Sequence, residues 1–325
     1  MSELPATRPE DLSSSAVVVP RLVATGGERA ARRFLEFFAV TIRNRNTRAA
    51  YLRACRAFFA FCDAAEIDAL EDIEPLHVAA YIEALGHARS TPTVKQHLAA
   101  LRMLFDWLVT GQILASNPAH AVRGPKQSVA VGKTPVLTPE EARQILDAVP
   151  LETHVGLRDR ALIALMVFSF ARISAALACR EKDYAPRGKR WWLRLHEKGG
   201  KIHEMPVHHT LEACLDAYID AAGLREDPDG WLFRAAKGRT GELSERPFKR
   251  QHAWQMVRRR ARAAGITQPV SNHSFRATGI TAYLANNGSL EHAQRMAAHA
   301  SPRTTKLYDR TGEEVTLDEV EKIVI

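Results

Sequence analysis

Arg190-Trp191-Trp192-Leu193-Arg194-Leu195-His196-Glu197-Lys198-Gly199-Gly200-Lys201-Ile202-His203-Glu204-Met205-Pro206-Val207-His208 is where the chain changes its period. Trp192, Arg194 and His196 alternate with Trp191, Leu193 and Leu195, which is how a strand presents residues to two opposite faces. Glu197-Lys198-Gly199-Gly200 supplies a turn, and Lys201 to Val207 runs back as a second strand. Elsewhere the apolar residues recur at helical spacing. The fold class is therefore mainly α, with a small antiparallel β-hairpin in the second half of the chain.

Helices are expected at 138–148 and 157–179 before this hairpin, and at 210–222, 247–264, 274–287, 289–298 and about 302–308 after it. The domain that holds them opens at Leu137-Thr138-Pro139-Glu140-Glu141. There Thr138 caps a helix, Pro139 takes its first position and Glu141 closes a capping box. Gly124 to Lys133, with Gly124-Pro125-Lys126, Ser128 and Gly132, has little apolar periodicity and reads as a linker. Upstream lie helical patterns at Arg32–Val40, Thr47–Ala64 (Thr47 as N-cap), Pro75–Leu85 and Thr93–Val109, and a short segment from Asn117 to Val122. The expected organisation is a flexible arm over 1–29, an all-α domain over 30–123, a linker over 124–137, a second domain over 138–310 and a tail over 311–325.

With 46% hydrophobic and 25% charged residues in 325, the chain has the composition of an ordinary globular protein. Its net charge of +8 favours an anionic partner, of which nucleic acid is the commonest. Arg32, Arg33, Arg43, Arg45, Arg48, Arg53 and Arg56 crowd one region with Glu36 as the sole acid between 32 and 56. Acids dominate from Asp63 to Glu83. One basic and one acidic end suggest a phosphate-facing surface. In the second domain, helix 247–264 carries Lys249, Arg250, Arg258, Arg259, Arg260 and Arg262, and is suited to lie along a DNA groove or backbone. The candidate DNA contacts are Arg43, Arg45, Arg48, Arg56, Lys95 and Arg102 in the first domain, and Lys249, Arg250, Arg258 and Arg259 in the second. Cys55, Cys62, Cys179 and Cys214 are scattered and read as reduced core residues of a cytosolic protein. No apolar run approaches the roughly 20 residues that span a membrane, and the N-terminus lacks a signal-peptide layout.

Several polar residues stand out in the second domain. Arg172 ends an otherwise apolar helix, where a charge asks for a partner or a purpose. His273 and Arg276 lie three apart at a helix start and share a face. Lys198 sits on the hairpin turn, and His299 precedes Tyr308 by nine residues. His203, Glu204, His208 and His209 invite a zinc reading, but His203 and Glu204 are adjacent on a strand and point to opposite faces. No metal or other cofactor is expected.

The order Arg172, Lys198 on a β-hairpin, His273-x-x-Arg276, His299, Tyr308 resembles the catalytic set of the tyrosine recombinases, the phage integrase family. Thr304-Thr305-Lys306-Leu307-Tyr308-Asp309-Arg310 resembles that family's nucleophile motif, and the 23 residues from Arg276 to His299 fit its spacing. The likeness covers roughly 30–310, the first domain resembling the family's core-binding domain. It implies a two-domain, C-shaped clamp on double-stranded DNA, with Tyr308 attacking a phosphodiester to give a 3′-phosphotyrosine. It also implies that Arg172 and Arg276 bind the non-bridging oxygens, that Lys198 protonates the leaving 5′-oxygen, that His273 assists near the tyrosine and that His299 hydrogen-bonds the phosphate.

The chain departs from the family pattern at four alanines. Ala171 replaces a glycine, Ala175 a glutamate, and Ala297-Ala298 a Leu-Gly pair. The resemblance further implies a dimer on each site and a tetramer in synapsis, an accessory directionality factor as a possible partner, no membrane, and a bacterial or phage cytoplasmic setting. The tail from Glu313 to Ile325 is acidic then apolar, and 315–325 is expected to dock on a neighbouring protomer or on its own domain. Two other readings share these residues: a DNA-binding relative that regulates rather than cuts, and a type IB topoisomerase-like nicking and closing enzyme.

Overall fold

The computed structural model describes residues 18–126, 132, 134–197 and 200–309. The chain divides into two compact units, Met1–Ser128 and Val129–Ile325. The N-terminal half of the expected arm, the Lys198-Gly199 pair and the C-terminal tail lie outside the described residues.

The first unit is helical: α1 (Arg21–Thr25), α2 (Gly27–Glu36), α3 (Arg45–Ala64), α4 (Pro75–Ala88) and α5 (Thr91–Thr110). Its core is aromatic, with Phe34, Phe37, Phe38, Phe58, Phe59 and Phe105 almost wholly buried. Phe58 meets Tyr81 and Phe105 edge-to-face at 5.3 and 5.9 Å, the arrangement that ring quadrupoles favour. The expected arm is packed over its last part, since Leu22 and Val23 of α1 are buried in this core. α2 runs on into a π-helical turn over Phe37–Thr41, whose wider spacing brings adjacent Phe37 and Phe38 both inward. Asn44, not Thr47, caps α3: its side chain accepts from the backbone N–H of Asn46 and Thr47. Asn44 has the extended backbone of an N-cap, whereas Thr47 already lies in the first turn.

The second unit opens at α6 (Pro139–Asp147), where Thr138 and Glu141 form the capping box read from the sequence. The expected helix 157–179 is instead α7 (His154–Phe168) and a short α8 (Ile173–Ala176). Ser169 donates to the Leu165 carbonyl at 2.6 Å and accepts from the Ala171 N–H, offering the backbone an alternative to the helical ladder. Phe170 then takes φ 54°, which no helix continues through. The break places Arg172 at the N-cap of α8 rather than at a helix end.

The hairpin is part of a three-stranded antiparallel sheet: β1 (Tyr184–Arg187), β2 (Arg190–His196) and β3 (Ile202–Pro206). β2 and β3 pair as expected, with Leu195 opposite His203. β1 was not legible because it is four residues long and contains Pro186, tolerated there on a sheet edge. After α9 (His209–Ala221), a further hairpin joins β4 (Arg234–Ala236) and β5 (Leu243–Pro247). α10 (Arg250–Ala263), α11 (Asn272–Ala285), α12 (Leu290–Met296) and α13 (Pro302–Lys306) complete the unit. α10 is tied to α7 through Asp159, which is wholly buried. Asp159 accepts from Arg158 at 2.6 Å and from Arg260 at 2.8 Å. A buried carboxylate is tolerable only with such partners, so the basic helix is held at one fixed place on the unit.

Candidate active site

α11 carries two of the site residues into the unit. Ser271 and Ser274 form the capping box at its start, and His273 and Arg276 follow in the first turns. Arg276 is 1% exposed. It donates to the Phe170 carbonyl and, at 2.5 Å, to that of Ala297. It therefore pins the two loops that lead to Arg172 and to His299. Three of its five N–H groups are not used in these bonds, and its Nε is buried without a partner.

Close packing under this helix depends on Gly279. A Cβ there would come within 2.0 Å of the Val167 carbonyl oxygen and 2.9 Å of the Phe170 ring. α11 thus lies directly on the end of α7, where the chain breaks to release Arg172.

Tyr308 follows α13 and is 7% exposed, packed with Phe170, Ala277, Ile280 and Ala297. Its hydroxyl lies 2.9 Å from Nε2 of His273. The His299 ring stacks on the Tyr308 ring at 5.8 Å between centroids. Thr281 fixes the segment by donating to the Tyr308 carbonyl at 3.1 Å. A tyrosine near the end of the chain is thereby seated in the same unit as His273, Arg276 and His299. His299 has its Nδ1 2.9 Å from the hydroxyl of Thr305, which is completely buried. Ala298, just before it, takes φ 46°. That left-handed backbone suits glycine, the residue that the resemblance places there.

Arg172 stands at the edge of this group, and its Nη1 donates to Oε2 of Glu197 at 2.6 Å. A cavity of about 790 Å³ opens beside it, lined by Arg172, Ser174, Arg250, Trp254 and His273 among others. Trp254 is exposed and carries the Arg258 guanidinium over its ring at 4.6 Å. Lys198, the expected acid, lies outside the described residues.

The electrostatics follow from burial and from the two guanidiniums. Burial lowers the pKa of His273, and the charges of Arg276 and Arg172 lower it further. His299 is pushed down to about 3 by burial and then by Arg276, Arg172 and His273. Arg276 itself falls to about 10 through burial and the repulsion of Arg172, and stays charged at neutral pH. A neutral His273 can accept the Tyr308 proton at Nε2, whereas a protonated ring could only donate. The site thus brings two guanidiniums and two imidazoles around the Tyr308 hydroxyl, a set preorganised for an oxyanion.

Sequence reasoning did not single out Glu197 or Thr305. Glu197 read as part of a turn, and only its burial against Arg172 sets it apart. Thr305 lies in the quoted nucleophile stretch, but its bond to His299 needs the turn between α12 and α13. In the zinc reading, Glu204 is taken up by Arg187 and Arg194 at 2.7 Å. Among the described residues no group of three or more His, Cys, Asp or Glu side chains could hold a metal ion. The described cysteines are buried free thiols.

The candidate DNA contacts differ in what they already bind. Arg43, Arg45, Lys95, Lys249, Arg250, Arg258 and Arg259 are exposed, as is Arg56. Arg259 also lies 3.5 Å from Asp159. Arg48 donates twice to the Ile42 carbonyl, at 3.1 and 2.9 Å. Arg102 donates to the carbonyls of Ala119 and Val122, holding the segment that follows α5.

The sequence of the phage integrase family matches residues 135–314, and the family's N-terminal SAM-like domain matches residues 31–112. The chain belongs to the phage integrase family. Among curated relatives, the tyrosine recombinase XerD of Mycobacterium tuberculosis is 30% identical over 283 residues, covering 81% of this chain and 86% of that protein. XerD of Chlorobaculum tepidum is 29% identical over 271 residues, covering 81% and 85%. Among solved structures, the XerH site-specific recombinase bound to its difH substrate aligns at TM-score 0.69 and 18% identity over 94% of this chain and 96% of that one. A lambda integrase dimer bound to a COC' core site aligns at TM-score 0.68 and 19% identity over 87% and 77%. These two likenesses show the fold. As a member of the phage integrase family, the chain is a tyrosine recombinase, of the enzymes that cleave and rejoin DNA strands.

Proposed function

We propose that this chain is a site-specific recombinase in which Tyr308 is the nucleophile. The observation that carries the reading is the Tyr308 hydroxyl 2.9 Å from a histidine kept neutral by burial, beside two guanidiniums. Tyr308 Oη attacks the scissile phosphorus, its proton passing to His273, and the bond from phosphorus to the 5′-oxygen breaks. Lys198 protonates the departing 5′-oxygen, and the product is a 3′-phosphotyrosine. Arg172 and Arg276 take up the charge that builds on the non-bridging oxygens, with a hydrogen bond from His299. Rejoining is the same path reversed, with a 5′-hydroxyl attacking the phosphotyrosine.

The partners in this proposal are duplex DNA and further copies of the chain, two on a site and four in synapsis. A directionality factor and a cytoplasmic setting belong to the same proposal. No helix among the described residues is long and apolar enough to cross a membrane.

Incubation with nicked DNA, whose cut strand end diffuses away and blocks rejoining, tests the nucleophile. The wild-type chain should accumulate a covalent protein–DNA adduct, and Tyr308→Phe should form none. An adduct that persists in Tyr308→Phe removes the assignment.

A further inference from the structure

We infer that Glu197 is a positioning residue for strand cleavage, acting by holding the Arg172 guanidinium in place. The inference rests on the proposed reading of the site. Arg172 is a long side chain on the N-cap of a four-residue helix that follows a chain break, and its side chain is 34% exposed. Left to itself such a guanidinium samples many rotamers. Glu197 is its opposite: the side chain is 3% exposed and rooted at the end of β2. The neighbouring Leu195 is wholly buried, and the Glu197 N–H donates to the Lys201 carbonyl at 2.7 Å. A fixed, buried carboxylate thus holds a mobile cation through a short, charge-assisted hydrogen bond.

The contact is made at one oxygen and one nitrogen. Nη2 and Nε of Arg172 remain for the two-pronged hold on a phosphate that a guanidinium fork allows. The helix of the arginine offers no acid of its own. Ala175, three residues on and 1% exposed, carries only a methyl group where the resemblance places a glutamate. In this chain the carboxylate comes from the hairpin instead, from the residue that precedes Lys198. Glu197 also faces His203, whose imidazole is held below its usual range by burial while the carboxylate pulls it the other way. Its field reaches Arg276 too, opposing the repulsion between the two arginines.

The test uses duplexes selected from a randomised pool by binding to the wild-type chain, then nicked at the position mapped from the wild-type adduct. Glu197→Gln keeps the shape and removes the charge. At saturating protein it should form adduct on the order of 10- to 100-fold more slowly, as small misplacements of reacting groups do. Its affinity for the duplex and its melting temperature should match wild type. Adding Glu197→Gln to Arg172→Ala should bring no further loss, because the residue acts through the arginine.

A wild-type rate in Glu197→Gln overturns the inference. So does a slow rate that comes with a lower melting temperature, or a further loss in the Arg172→Ala background. If Glu197→Gln does not fold, Glu197→Asp takes its place, withdrawing the charge by one methylene; a slower rate at unchanged melting temperature supports the inference and a wild-type rate overturns it. Tyr308→Phe on the same duplex separates the two levels. An adduct in that variant sinks the reading of the site, whereas its absence together with a wild-type rate in Glu197→Gln sinks only the role of Glu197.

Discussion

His273 and His299 face the same two guanidiniums, and this sets how the unit responds to acid. The folded-state pKa of His299 is about 3 against an ordinary value of 6.5. Above 6.5 both folded and unfolded chains hold it neutral, so it costs nothing there. Between 6.5 and 3 the unfolded chain takes up a proton that the folded one refuses, and stability falls by up to about 1.4 kcal/mol per pH unit. His273 contributes in the same direction. Denaturant melts across that window should show a shallower fall for His299→Asn than for wild type, and equal slopes would remove His299 as a cause. Adduct formation should weaken in the same direction, because a protonated His273 no longer accepts the phenol proton. At this scale the sequence was informative about which residues meet. The three-residue step from His273 to Arg276 on a helix predicts a common target, and the structure puts both beside Tyr308. It could not show that Arg172 meets Glu197, because the two lie 25 positions apart with two strands between them.

At the scale of elements, the site depends on α11 lying on the end of α7. Gly279 makes that contact possible, since a methyl there would meet the Val167 carbonyl, a backbone atom that cannot swing aside. Gly279→Ala should therefore destabilise the second unit by about 1–3 kcal/mol, the usual cost of overpacking, at roughly 2–4 °C of melting temperature per kcal/mol. Gly86 is the contrast. It lies in α4, and a methyl added there would meet nothing within 4 Å, so Gly86→Ala should stabilise by about 0.5–1 kcal/mol through helix propensity alone. Thermal melts of the two variants check both, and a neutral Gly279→Ala would mean that α7 and α11 can part without loss. Capping chemistry was legible in advance, as at Thr138 and Glu141, because it is written within four residues. The break at Ser169–Phe170 was not. The Ser169 bonds alone do not mark a break, and they act together with the packing of Val167 and Phe170 against α11, far along the chain.

For the molecule as a whole, the net charge of +8 matters through where its cations are free to reach. The basic residues read from the sequence fall into two physical classes. Arg45 and Lys249 are exposed near helix starts in the first and second units, whereas Arg102 is committed to the carbonyls of Ala119 and Val122. Phosphate contacts release counterions, so each one adds about 0.9 to the slope of log affinity against log salt. Arg45→Gln and Lys249→Gln should each lower that slope by about 0.9, and the double variant by about 1.8 if both units grip the same duplex. Arg102→Gln should leave the slope unchanged and instead lower the melting temperature of the first unit, because two backbone carbonyls lose their donor. Binding isotherms over a salt series distinguish these cases. A slope unaltered in Arg45→Gln takes that residue off the DNA. A slope reduced in Arg102→Gln would mean that its guanidinium leaves the Ala119–Val122 segment to reach a phosphate.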